Sequence, residues 1–213
     1  MLLAGACLTA SACAPDPPAA VVGVVVDSCD PGQDSGSGVL VGAGLVLTSA
    51  HVVAGAQDIR VVRNGSFTPA EIVGFDPDMD LAYLAADGLI GTPLQVSSDG
   101  VQAGDTGVAY VVRGGDVVEV PVVVRRSVSI RTEDVYLEGE TVRPGFELVA
   151  EIEPGDSGGA IVIHGRVVGV VWARSRTSAG RAWVIDPDRA GALIREQLRT
   201  GTIGDEIDLT RCR

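Results

Sequence analysis

Residues 153–173, EPGDSGGAIVIHGRVVGVVWA, decide how the rest of the chain is read. Ser157 stands between an Asp-flanked glycine and two further glycines, and an apolar run follows at once. A Gly-rich turn of this kind is either punctuation between strands or a nucleophile held in a backbone pocket shaped for negative charge. The remainder is a hairpin signal, two β-branched runs separated by His164 and Gly165. That context makes His164 a turn residue.

Moving outward, the same grammar repeats. Short apolar runs occur at 21–26, 37–50, 58–62, 70–75, 81–86, 106–112, 117–126, 146–152 and 181–186, with Gly, Pro, Asp and Asn in RNGS, DPD, RGGD and EPGD between them. Close spacing with frequent turns indicates antiparallel barrels or a sandwich. Aromatics are only 4% of the 213 residues, so Val, Leu, Ile and Ala must fill the cores. Only residues 187–200 have helical spacing, with Ala190, Ile194 and Leu198 on one face behind Pro187. Turn residues crowd 97–107, which sets the expected boundary between two β halves. The expected division is a leader and spacer at 1–19, β halves at 20–105 and 106–186, and a helix and tail at 187–213.

The net charge is -12, from 28 acidic residues against 16 basic ones, all of them Arg. This balance argues against nucleic acid as a partner. Residues 2–12 are apolar and a Pro-rich stretch follows, the order of an export signal that is too short to span a bilayer. ASAC at 10–13 resembles the lipobox of bacterial lipoproteins, which implies a lipid on Cys13 and attachment to the outer face of a membrane. The same Ala-x-Ala spacing also fits ordinary signal cleavage and release. If Cys7 and Cys13 belong to the leader, Cys29 and Cys212 remain, to be read as a disulfide or as two unpaired thiols. Neither lies in a C-x-x-C pair, and no metal or other cofactor is expected.

Two histidines make the search for a base short. His51 ends the apolar run LVLTSA, where a rigid scaffold presents a side chain to a cleft. In FDPDMDLAYLA, Asp76 and Asp78 flank Pro77 as turn formers, while Asp80 directly precedes an apolar strand and is carried inward. Serine is a weak nucleophile until a base takes its proton; His does so, and a buried carboxylate fixes its tautomer. The order His51, Asp80, Ser157 is that of one convergent solution among several.

TSAHVV, DMDLAYL and GDSGGAIV resemble the three triad motifs of trypsin-like serine proteases of the bacterial HtrA-type branch, from about Val21 to Asp186. The cysteine near each end is also similar to the mycobacterial periplasmic acid-resistance proteases. The resemblance implies an all-β fold of two antiparallel six-stranded β-barrels, with the C-terminal α-helix added. It implies His51 as general base, Asp80 as its orienting carboxylate and Ser157 as nucleophile. Gly155 and Ser157 would donate the oxyanion-hole N–H groups, with Asp156 shaping the turn. Glu151 falls where relatives carry the base of the primary pocket, which would favour a basic side chain unless Arg174 on the pocket wall neutralises it. No PDZ domain is expected after the helix, and activation through a free apolar N-terminus that pairs with Asp156 is not expected either. The expected function is an exported serine endopeptidase acting on proteins or peptides through an acyl-enzyme. The other reading is a silent protease-fold module that binds cell-envelope peptides by strand addition.

Overall fold

The computed structural model describes residues 17–28, 33–203, 208, 209 and 211. Cys7, Cys13, Cys29 and Cys212 lie outside the described residues, and with them the lipidation and disulfide readings.

Apolar β-branched runs become strands because alternate side chains can be buried on one face while turn residues reverse the chain. A single helical turn, α1 (Pro17–Ala20), leads into β1 (Val21–Ser28), β2 (Gln33–Gly42) and β3 (Leu45–Thr48). The short α2 (Ala50–Val53) follows, then β4 (Ala56–Arg63), β5 (Ser66–Pro69), β6 (Glu71–Asp76) and β7 (Leu81–Ala85). These strands form one sheet of order β5-β4-β1-β2-β3-β7-β6, antiparallel throughout. Its core is aliphatic, with Val24, Val39, Leu47, Leu81 and Leu84 fully buried.

The second half contains β8 (Thr106–Arg113), β9 (Asp116–Glu133), β10 (Glu140–Val149), β11 (Ala160–Ile163), β12 (Arg166–Arg174) and β13 (Arg181–Ile185). It closes into a six-stranded barrel of order β10-β13-β12-β11-β8-β9 around Val111, Leu148, Ile161, Val171 and Val184. The mostly β, antiparallel architecture in two halves is as expected, and the second half is the expected six-stranded barrel, whereas the first is a seven-stranded sheet in place of the expected closed barrel of six. Asn64 and Gly65, at φ 50° and 76°, turn the chain tightly enough for SFTP to pair with β4 as β5. Residues 86–105 stitch the halves together: Leu94 N–H donates to Leu40 O at 2.9 Å and Ser97 N–H to Val167 O at 2.8 Å.

The terminal helix is broken at Gly191 into α3 (Pro187–Ala190) and α4 (Ala192–Thr200). The Asp186 carboxylate starts it by accepting from the Asp188 and Arg189 amides. Ala190 and Ile194 are buried as the spacing predicts, and so is Gln197, which is 3% exposed. Its amide bridges the backbone of edge strand β6, accepting from Phe75 N–H at 2.8 Å and donating to Phe75 O at 3.0 Å. The helix thereby covers a sheet edge whose polar groups would otherwise be unpaired.

Replacing Gln197 by Ala strands two buried backbone groups, each costing roughly 1–3 kcal/mol. The expected outcome is a loss of about 2 kcal/mol or more of unfolding free energy, read from the urea midpoint.

Candidate active site

His51 sits in α2, at the junction of β3 and the cleft. Two hydroxyls of the preceding residues fix that junction. Thr48 Oγ1 donates to Ser37 O at 2.7 Å, and Ser49 Oγ donates across the halves to Val171 O at 3.1 Å. The chain then turns into the helix, with Val52 N–H on Ser49 O at 3.2 Å.

Asp80 closes the turn before β7 in a left-handed conformation, φ 56°, which is uncommon for a residue with a side chain. The Asp76 carboxylate helps hold the turn by accepting from Met79 N–H at 2.9 Å. Asp80 is 2% exposed, and its two oxygens accept from His51 at two points: Oδ1 from the backbone N–H and Oδ2 at 2.8 Å from ring Nδ1. A carboxylate only accepts, so Nδ1 carries the proton and Nε2 is left as the acceptor of a ring that is 15% exposed. Burial works to raise the Asp80 pKa, but the His51 ring, its amide and a nearby arginine outweigh it and hold the carboxyl below its usual value.

That arginine is Arg143, on β10, whose Nη1 lies 3.6 Å from Asp80 Oδ2. Its Nε donates to Asp78 O at 2.6 Å, and its Nη2 to Glu133 O at 3.0 Å and Pro77 O at 3.3 Å. Its guanidinium also stacks over Trp172, 5.3 Å from the ring centroid. Such stacking is a favourable use of a desolvated cation. One buried arginine therefore ties the Asp80 turn to the wall of the cleft.

Ser157 lies in the turn between β10 and β11, half-buried, and its carbonyl accepts from Ser37 N–H at 2.7 Å. Among the described residues its hydroxyl makes no hydrogen bond, a looseness common in sites without substrate. The glycines around it have separate tasks. Gly155 adopts φ 94°, whereas Gly158, at φ 82°, is pressed so closely on Ser37 O and Thr48 Oγ1 that no Cβ fits. Among the described residues the N–H groups of Gly155 and Ser157 have no acceptor, while their neighbours Asp156, Gly158 and Gly159 donate to Glu153 O, Val171 O and Asp156 O. Two amides, one on either side of Asp156, left free by an otherwise satisfied turn are what an oxyanion hole needs.

A cavity of about 330 Å³ opens beside Ser157, lined by Ile152, Pro154, Trp172, Ala173, Arg174 and Arg176 among others. A larger cavity of about 620 Å³, lined by Ala19, Arg63 and Val117 among others, includes none of the residues around Ser157. Arg174 is on the wall of the first, and Arg176 joins it. Glu151 is exposed and not part of that lining; its carboxylate sits against Gly180, where an added Cβ would come within 3.1 Å. His164 is at the hairpin tip, φ 51°, between β11 and β12. Among the described residues no cluster of His, Cys, Asp and Glu could hold a metal ion.

Fold and site together define the trypsin-like peptidase class. A family model described as "Trypsin-like peptidase domain" matches residues 36–170, and the chain belongs to that family. It is 31% identical over 172 residues to serine protease Rv3671c of Mycobacterium tuberculosis, covering 79% of this chain and 43% of that protein. It is 30% identical to the chloroplastic protease Do-like 1 of Arabidopsis thaliana, over 80% of this chain and 41% of the relative. The chain thus spans less than half the length of these curated relatives. Among solved structures, the active form of the Rv3671c protease superposes with a TM-score of 0.81 at 24% identity, covering 100% of this chain and 99% of that one. The HtrA-type protease AlgW with a tripeptide gives 0.75 at 28% identity, over 88% of this chain and 62% of that one.

A carboxyl whose pKa is depressed on folding contributes stability above its unfolded value, about 3.9, and loses it as pH falls through the folded value. Unfolding free energies measured in urea from about pH 6 to pH 2 are therefore expected to fall more steeply in the parent than in Asp80→Asn. The difference between the two isolates Asp80 from Asp76, whose carboxyl burial pushes the opposite way.

Proposed function

We propose that this chain is an exported serine endopeptidase that hydrolyses peptide bonds through an acyl-enzyme. One observation carries the reading: the two-point grip of Asp80 on His51, just after Ser49, whose hydroxyl shares the Val171 carbonyl with the Gly158 amide of a serine turn that has two free amides. Ser157 Oγ attacks the scissile carbonyl carbon while His51 Nε2 takes the hydroxyl proton. The carbonyl oxygen gains negative charge and is received by the Gly155 and Ser157 N–H groups. The C–N bond then breaks, and His51 returns the proton to the departing amine. A water repeats the sequence on the ester, releasing the acid and restoring Ser157. Asp80 stays ionised throughout, holding the ring and offsetting the charge of the imidazolium.

Substrates are proteins or peptides, which the open, partly apolar cavity beside Ser157 can seat by a side chain. AlgW, the similar HtrA-type protease, is solved with a tripeptide and with a decapeptide. The apolar leader supports export, as does similarity to a protein named a probable periplasmic DegP-like endoprotease. A lipid on Cys13 would keep the enzyme at the outer face of the membrane.

A fluorophosphonate probe is expected to label the parent and not Ser157→Ala. Asp80→Asn, which strands His51 in the wrong tautomer, is expected to lose on the order of 10⁴-fold in kcat on a peptide ester. Labelling that persists in Ser157→Ala contradicts the assignment of the nucleophile.

A further inference from the structure

The mechanism leaves the buried charge of Asp156, next to the nucleophile, without a task. Asp156 lies between Gly155 and Ser157, whose amides have no acceptor among the described residues, and it is 0% exposed. A carboxylate taken wholly out of water must be met by positive charge and hydrogen bonds.

Arg113 meets it. It is the last residue of β8, steadied by Val112 N–H donating to Ser37 Oγ at 2.8 Å and by the Gly114-Gly115 turn into β9. Its Nε donates to Asp156 Oδ1 at 2.9 Å and its Nη2 to Oδ2 at 2.7 Å, the two-pronged fit that a planar guanidinium makes with a carboxylate. The remaining donors go to the same turn: Nη2 to Glu151 O and Nη1 to Glu153 Oε1, both at 2.9 Å. Glu153 N–H completes the knot on Asp156 Oδ2 at 2.8 Å. One side chain from a rigid strand end thus grips residues 151, 153 and 156, immediately around the amides of Gly155 and Ser157.

We infer that Arg113 is the positioning residue of the oxyanion turn, holding the Gly155 and Ser157 amides free for substrate in the uncut chain. It supplies from within the barrel the positive charge that a carboxylate with no exposed surface needs. The inference rests on the endopeptidase reading. Its consequence is that the site is preformed and needs no cleavage between α1 and β1 beyond removal of a leader.

The test compares the parent, Arg113→Ala and Arg113→Lys on a peptide ester, with the residues before Val21 uncut and folding checked by circular dichroism. An oxyanion donor held out of place costs about 100- to 1,000-fold in kcat. Arg113→Ala is therefore expected to lose about 100-fold in kcat with KM within threefold. Millimolar ethylguanidinium, which can enter because Arg113 is 26% exposed, is expected to restore at least tenfold. Lysine keeps the charge and loses the fork, so Arg113→Lys is expected to fall between the two. A folded Arg113→Ala with kcat within threefold of the parent overturns the inference, as does a loss confined to KM. If Arg113→Ala does not fold, Arg113→Lys decides: a tenfold fall in kcat at constant KM supports it, and a kcat within twofold overturns it. No turnover by the uncut parent overturns the endopeptidase reading together with the inference, whereas an active parent with an equally active variant overturns the inference alone.

Discussion

A carboxylate removed from water has to be met, and this molecule meets each of three with arginine from its C-terminal barrel. Asp80 lies beside Arg143, Asp156 is gripped by Arg113, and Glu147 on β10 is surrounded by Arg125, Arg126 and Arg181. Because the chain has no lysine, every such partner is a planar fork that can bind two acceptors at once. The first two pairs shape the candidate site directly. One fixes the carboxylate that orients His51, and the other fixes the turn that carries Ser157.

The halves are therefore not independent scaffolds that happen to meet. His51 and Asp80 come from the first sheet, but Arg143, which secures the Asp80 turn, comes from β10 of the second. Ser157 comes from the barrel, yet its carbonyl is held by Ser37 of β2, and Ser49 reaches Val171 of β12. Helix α4 then returns from the end of the barrel to cover β6. Relative motion of the halves would break these bonds together, which is how a fold keeps a nucleophile and its base in register.

The features carried by local sequence were legible. His51, Asp80 and Ser157 sit in short motifs with distinctive neighbours, and the turns at Asn64-Gly65 and His164-Gly165 announce themselves by residue type. The aliphatic core and the helix starting at Pro187 follow from composition and spacing. Arg113 and Arg143 were not legible, since each is one arginine among 16 and acts on residues 43 and 63–66 positions away. The ends of β9 and β10, where polar residues alternate with Val128 and Ile130, carried a weak strand pattern beside the stronger apolar runs. Gln197 was missed because a polar residue on an amphipathic helix is ordinarily read as solvent-facing.

Central to this account is a serine that becomes acylated in a site already formed. The direct measurement is a pre-steady-state burst with a p-nitrophenyl ester on the chain left uncut ahead of Val21, followed by mass spectrometry of the trapped species. The account predicts close to one equivalent of nitrophenolate per chain and an acyl group on Ser157. No burst, or an acyl group on any other residue, would contradict it.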